Sequence, residues 1–212
     1  MRPMKIFARV LLLGALCLPV AAQAQSTSTA PATTATAPPP KVLKYRFVPE
    51  QSSITFELPT SFKVIHGKVD AWHGRVEVDP TTPGVMRAKI LIRADSIETG
   101  NARRDLDTRD KVLEAARFPE IVFEAKTYKG NLSKFEPGAI LTAEISGDIE
   151  IHGVTKPLQT SVECAVLADH VVVAGAVPVF WKAFGVRDMS RLFLRVRQPM
   201  LVVFRLWAVP EP

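Results

Sequence analysis

The sequence is short of almost everything that announces a particular chemistry. It holds 2 cysteines in 212 residues. Cys17 falls in an N-terminal apolar run, which leaves Cys164 alone in the rest of the chain and excludes an internal disulfide framework. Cys164 sits in an apolar-alternating stretch and reads as a small buried hydrophobe. Histidine is scarce as well, with 4 in the chain, and three of them precede glycine: His66-Gly67, His73-Gly74 and His152-Gly153. No H-x-H or H-x₃-H spacing occurs, so no metal site is predicted. The His-Gly pairs read as strand ends beside turn or bulge glycines. A nucleophile elbow, a phosphate-cradling glycine loop and a zincin pair are all missing. No catalytic residue, no metal and no cofactor is therefore expected. The N-terminal apolar run, Val10 to Ala22, spans 13 residues and contains Pro19. A helix crossing a membrane needs about 20.

That run belongs to a three-part export pattern. Arg2, Lys5 and Arg9 precede it, and Ala22-Gln23-Ala24 offers small residues to a signal peptidase. Residues 1–24 are predicted to be a cleaved signal peptide, leaving Gln25 first. Leu16, before Cys17, is too large for a lipoprotein cleavage site. Removal takes away three basic and no acidic residues, so the charge of +6 becomes 24 − 21 = +3. Such a balance carries no nucleic-acid footprint. It allows a weak, transient attraction to anionic membrane surfaces. Residues 25–43 form a linker. Ser26 to Pro40 contains only Ser, Thr, Ala and Pro, cannot bury enough to order itself, and reaches roughly 20–25 Å as a flexible chain.

From Lys44 to Val209 the sequence reads as one domain whose dominant period is 2. Leu141, Ala143, Ile145, Gly147, Ile149 and Ile151 share one face of a long run, with Thr142, Glu144, Ser146, Asp148, Glu150 and His152 on the other. Ile54, Phe56 and Leu58 alternate in the same way, as do Val76 and Val78. Further strand runs cover Met86–Arg93, Ile121–Tyr128, Pro157–Leu167, Val171–Val179 and Arg191–Val209. Turn residues separate them, among them Pro83-Gly84, Pro137-Gly138 and His152-Gly153. The segment from Asn101 to Ala116 breaks this rhythm. Ala102, Leu106, Leu113 and Ala116 fit one stripe of a helix over about 101–116, with Thr99 or Asn101 as its cap. About eight antiparallel strands without repeats predict a sandwich or a closed barrel, and an eight-stranded barrel can hold one small ligand.

Four segments in register resemble the YceI-like family. They are Pro49-Glu50-Gln51-Ser52-Ser53-Ile54-Thr55-Phe56, Ser96 to Asn101 with Arg104-Asp105, Arg117 to Glu124, and Gly147-Asp148-Ile149-Glu150-Ile151-His152-Gly153-Val154-Thr155-Lys156-Pro157. The resemblance implies a mostly β, antiparallel lipocalin-like barrel with one helix in a periplasmic protein. It also implies binding of a long-chain isoprenoid or other amphiphilic lipid. Two places depart from the family pattern. Pro59-Thr60 replaces its usual Lys-His, and Leu113-Glu114-Ala115-Ala116 replaces its Phe-Phe-Asp.

A polyprenyl chain offers no hydrogen-bonding groups along its length, so its site needs an apolar wall. The candidate wall residues are Phe56, Phe62, Trp72, Phe118, Phe123, Phe180 and Trp181, each of which would also serve as ordinary core. His66, Arg104, Asp105 and His152 are candidates for a polar mouth or for structural roles. Arg104 and Asp105 are neighbours in a helix and do not face each other, so each must contact something else. The expectation is a periplasmic binding protein rather than an enzyme. Two alternatives stand beside it: an enzyme acting on a lipidic substrate in the same cavity, with His66, His73 or Arg104 as candidates, and an outer-membrane or surface barrel.

Overall fold

The computed structural model describes residues 42–79, 82–131, 134–190 and 194–211. The predicted signal peptide and all but the last two residues of the predicted linker lie outside them. Eleven strands form one antiparallel sheet. In chain order these are β1 (Leu43–Phe47), β2 (Ser53–Pro59), β3 (Val64–Val69), β4 (Trp72–Val78), β5 (Val85–Arg93), β6 (Ile97–Glu98), β7 (Glu120–Gly130), β8 (Ile140–Ile151), β9 (Val154–Val166), β10 (Val171–Val179) and β11 (Met200–Pro210). The order β1-β4-β5-β7-β8-β9-β10-β11 closes on itself through β1 and β11, giving an eight-stranded barrel. The first half of β11 pairs with β2, which pairs with β3, which pairs with β6. Three courses of the barrel are thus each broken once. The break between β1 and β2 is a single tight turn, Pro49–Gln51, where Ser52 Oγ donates to the Val48 carbonyl (2.6 Å) and accepts from the Trp207 N–H (2.8 Å).

The period-2 pattern sorts side chains between the inside and the outside of the closed ring. Along β8 the predicted inward set points inward, and Ala143, Ile145 and Ile149 line the interior. The β8–β9 hairpin has a two-residue loop, His152-Gly153, with φ of 54° and 72°. Positive φ at both positions matches the twist of the flanking strands, and the glycine adopts it without steric cost. On the outside, charged side chains pair across strands: Lys89 with Glu124 at 2.7 Å, and Lys126 with Asp148. Apolar inside and ionic outside is the reverse of a membrane-spanning barrel, which argues against the outer-membrane alternative.

The helix is shorter than its pattern predicts. It runs Ala102–Asp107 as α1 and continues as one wider turn, Thr108–Val112, in which the Leu113 N–H donates to the Thr108 carbonyl at 2.8 Å. Asn101 caps it, accepting from the Arg104 N–H at 3.0 Å. The extra residue in the wide turn rotates the following side chains, so the predicted stripe does not hold. Leu113 and Ala115 are buried, while Leu106 is 50% exposed and Ala102 and Ala116 face solvent. Leu113 and Ala115 join Ala94, Ile121, Ile151, Val179 and Phe184 in a cluster that plugs this end of the barrel. The predicted strand run Arg191–Val209 is corrected as well. The strand begins only at Met200, because Pro199 has no N–H to give the ladder. Residues 191–193 lie outside the described residues, and Arg195 and Arg197 are exposed beside β2 rather than within a strand.

Candidate functional site

The barrel is lined rather than filled. A cavity of about 230 Å³ runs along its axis, walled by alternate residues of all eight courses. Even the least exposed large side chains, Val179 and Leu206, keep 3% accessibility. Small residues at inward positions, including Ala88, Ala125 and Ala143, leave the space that a Leu or Phe would occupy. Phe47, Phe123, Phe135 and Phe204 supply the aromatic wall. The remainder is Val, Ile, Leu, Met and Ala, with four polar-tipped exceptions: Tyr45, Tyr128, Thr160 and Cys164. Among the described residues, no charged side chain lines the lumen. Burial raises the Tyr45 phenol above its ordinary value and pushes the Cys164 thiol up to about 11, with the neighbouring Glu163 adding to the effect. Both groups therefore stay neutral at physiological pH.

The two ends of the lumen differ. One carries the plug described above. At the other, Phe135, from the segment between β7 and β8, meets Tyr45 of β1 edge to face, with ring centroids 6.1 Å apart. β1 and β8 stand on opposite sides of the eight-stranded ring, so this contact spans the mouth. Both rings also line the lumen. The sequence gives little warning of Phe135, which lies in a turn-rich stretch outside any alternation. Tyr45, Phe47 and Phe204 sit in alternating runs and could have been taken for wall residues from their period.

Of the seven aromatic wall candidates, Phe123 lines the lumen. Phe56 and Trp72 are buried in the barrel body without facing the cavity; Trp72 packs on Phe47 with centroids 6.2 Å apart. Phe62 and Phe180 are 74% and 55% exposed, outside the lumen. Phe118 lies under the β8–β9 hairpin against His152, and Trp181 hydrogen-bonds from its indole N–H to the Arg197 carbonyl at 3.1 Å. The reason is topological. Phe62 occupies a turn, Phe180 and Trp181 follow the end of β10, and Phe118 precedes β7, so none of them sits at an inward strand position.

The polar candidates also stand outside the lumen. His66 is exposed on β3, 3.8 Å from Glu57. Arg104 and Asp105 both grip Thr99. Arg104 donates to the Thr99 hydroxyl (2.6 Å) and carbonyl (2.9 Å), and Asp105 accepts from the Thr99 N–H (2.9 Å) and hydroxyl. Their role is to fix α1 to the strand before it. His152 packs on Phe118 in a tilted pair with centroids 4.3 Å apart, and its buried Nε2 has no hydrogen-bond partner, with a Glu114 carboxylate oxygen at 3.7 Å. His170 is buried against Trp207, with ring centroids 3.4 Å apart, and bonds through Nδ1 to Asp169 at 2.6 Å. The structure thus brings together an apolar tube with a ring pair across its mouth and, among the described residues, no convergent set of acid, base or nucleophile within it.

Comparison with known proteins places this architecture. A UPF0312 protein of Pseudomonas savastanoi pv. phaseolicola is 31% identical over 98 residues, which is 46% of this chain and 47% of that protein. A UPF0312 protein of Yersinia pestis is 27% identical over 95 residues. These matches span about half the length of the curated relatives. Among solved structures, Burkholderia cenocepacia BcnA superposes with a TM-score of 0.65 at 15% identity, covering 77% of this chain and 99% of that one. A polyisoprenoid binding domain from Saccharophagus degradans, implicated in plant cell wall breakdown, gives 0.61 at 17% identity, covering 80% and 99%. These likenesses carry the fold. The YceI-like domain model matches residues 45–205, three-quarters of the sequence, and the chain belongs to the YceI-like family.

Proposed function

We propose that this protein binds and carries a long apolar or amphiphilic chain, such as a polyisoprenoid, a quinone tail or a similar lipid, inside the barrel, and that it does so in the periplasm after its signal peptide is removed. The observation that carries the reading is the lumen's chemistry: a continuous apolar wall with no charged side chain among the described residues. Each buried CH₂ contributes about 0.8 kcal/mol, so ten of them offer about 8 kcal/mol before the cost of ordering the chain. The likeness to a polyisoprenoid binding domain supports the same class of ligand. Binding is favoured over catalysis because the candidates of the enzyme alternative, His66, His73 and Arg104, all stand outside the lumen, as do Asp105 and His152. The polar groups within it, two phenols, one hydroxyl and one protonated thiol, form no acid–base pair.

Size sharpens the proposal. A volume of about 230 Å³ exceeds the ~150 Å³ of an apolar cavity that takes up benzene. It falls below the ~300–1,000 Å³ of ordinary ligand sites. The lumen therefore takes a segment of a long chain as it stands, and deeper uptake requires Phe135 to move off Tyr45. The test is gentle purification followed by mass spectrometry of the extracted lipid, with uptake of added isoprenoid alcohols of graded length. A protein that carries no lipid and takes up none of the series would overturn the reading.

A further inference from the structure

The end of the barrel away from Tyr45 and Phe135 carries a surface that the lumen does not use. Three pieces of chain meet there. The turn between β2 and β3 is organised by Thr60, one of two buried polar residues among those described. Its hydroxyl accepts from the N–H groups of Phe62 (3.3 Å) and Lys63 (3.1 Å) and donates to the Lys63 carbonyl (2.6 Å). Residues 195–197 run alongside: the Ser61 N–H donates to the Arg195 carbonyl at 3.0 Å, and the Arg197 N–H to the Pro59 carbonyl at 2.8 Å. The third piece follows β10, where the Trp181 indole donates to Arg197 and the Lys182 N–H to Gln198 Oε1 at 3.4 Å. Phe62, Phe180 and Leu194 are thereby held on one tip. Phe62, at 74%, is the most exposed large apolar side chain among the described residues, and Val64 beside it is exposed too. A ring on a hydrogen-bonded turn cannot fold back to cover itself. The Pro59-Thr60 pair that departs from the family pattern builds this turn.

The charge of the tip is one-sided. Lys63, Lys182, Arg187, Arg195 and Arg197 are all exposed on these segments. Against them stand Asp188, whose carboxyl is held at about 2 by hydrogen bonds from Ser190 and Lys182, and Glu57, beside His66. The balance is 5 − 2 = +3. Apolar side chains that protrude among cations suit the interface of an anionic bilayer, where the rings enter the headgroup layer and the cations meet lipid phosphates. We propose that this tip docks the protein on anionic lipid bilayers. The tip precedes Met200, at the start of β11, whereas Tyr45 pairs with Pro210 at its end. Eleven residues of strand, about 35 Å, separate them. Docking therefore leaves the mouth free, and it stands whatever the lumen carries.

The test is co-sedimentation of the full processed protein with phosphatidylglycerol-containing vesicles and with pure phosphatidylcholine vesicles. Binding to the anionic vesicles is expected to exceed binding to the neutral ones by at least tenfold. It is expected to collapse at 1 M salt, where screening shortens to about 3 Å. The double change Arg195→Gln/Arg197→Gln should weaken binding about 25-fold, at about fivefold for each charge near the surface. Phe62→Ser/Phe180→Ser should weaken it by tenfold or more. Both variants should keep the wild-type far-ultraviolet circular dichroism and the wild-type uptake of isoprenoid in solution, so that loss of docking is told apart from loss of the lumen. Equal binding to the two vesicle types, or variants that sediment like the wild type, would overturn the proposal. So would a dimer that forms in solution and disappears in Phe62→Ser/Phe180→Ser, because a second copy would then occupy the tip.

Discussion

Cys164 offers a direct probe of whether the lumen is as dry as its wall suggests. Burial beside Val162 and Val173 raises its thiol from an ordinary 9.0 to about 11. At pH 8 the thiolate fraction then falls from about a tenth to about a thousandth, a hundredfold loss of nucleophile. A thiolate of higher pKa is intrinsically more reactive, with a Brønsted slope of about 0.45, which returns roughly eightfold over two units. The net expectation is a reaction roughly tenfold slower than for the unfolded chain, before any loss of access. The assay is the rate of modification by a small thiol reagent on protein that begins at Gln25, in which Cys164 is the one cysteine and alone reports. Between pH 7.5 and 9.5 the folded protein's rate should rise about tenfold per unit without levelling, while that of the urea-unfolded control bends near 9. Adding a long isoprenoid alcohol should slow the folded reaction further. The shift also links folding to protons. The unfolded thiol ionises near 9 and the folded one near 11, so the stability present below pH 9 is lost as pH climbs towards 11, by about 2–3 kcal/mol at most. A folded-state rate that bends near pH 9, or that ligand leaves unchanged, would refute the placement of Cys164 on a dry lumen wall.

Three further outcomes follow from the same geometry. Phe135→Ala removes half of the ring pair across the mouth, so stopped-flow association and dissociation of a fluorescent isoprenoid should both quicken by tenfold or more, with affinity changed by less than tenfold; unchanged rates would mean that the chain enters elsewhere. Ala143→Phe places a ring in the lumen at an inward position of β8 and should abolish uptake while the thermal transition shifts by no more than the ~1–3 kcal/mol of an overpacked site; wild-type uptake would show that the ligand does not lie there. Gly147→Ala puts a Cβ 2.1 Å from the Glu124 carbonyl oxygen, where the β7 backbone approaches. It should destabilise by about 3 kcal/mol or more or prevent folding, whereas Gly138→Ala, at a φ of 94° with nothing within 4 Å, should cost about 1–2 kcal/mol in chemical denaturation.

Much of the fold was legible because a half-buried strand must alternate. Leu141 to Ile151 reads as a strand with one dry face, and so it is. The His152-Gly153 hairpin was legible for the same kind of reason, since few residue pairs accept positive φ twice. The helix was read too long, because a spacing pattern cannot show that an extra residue in the Thr108–Val112 turn will swing Leu106 out and Leu113 in. The site was read less well than the fold. Choosing wall residues by aromatic character selected Phe62, Phe180 and Trp181, which lie beyond strand ends, and passed over Tyr45, Phe47 and Phe204, which sit at inward positions. Period was the better guide than residue type. Phe135 was beyond both, since only closure of the ring sets a residue of the β7–β8 segment opposite β1.

An apolar alternation has the same appearance whether the barrel it builds is filled or open along its axis, and that is why the lumen itself could not be read from pattern. The difference lies in side-chain volume at facing inward positions. Ala88 of β5 faces Ala125 of β7, Ala125 faces Gly147 of β8, and Ala143 follows two inward steps away. A patch of the wall around Ala88, Ala125 and Gly147 is therefore built from small residues, across the ring from Phe47, Phe204 and Leu206 of β1 and β11. Larger residues in that patch would have interdigitated with the far wall and made an ordinary core. Small ones forgo those contacts across the axis. The lumen is in this sense the part of the core that the sequence withholds. The small residues of β5, β7 and β8 leave its space, while aromatics from β1, β7 and β11 give the rest of the wall its bulk.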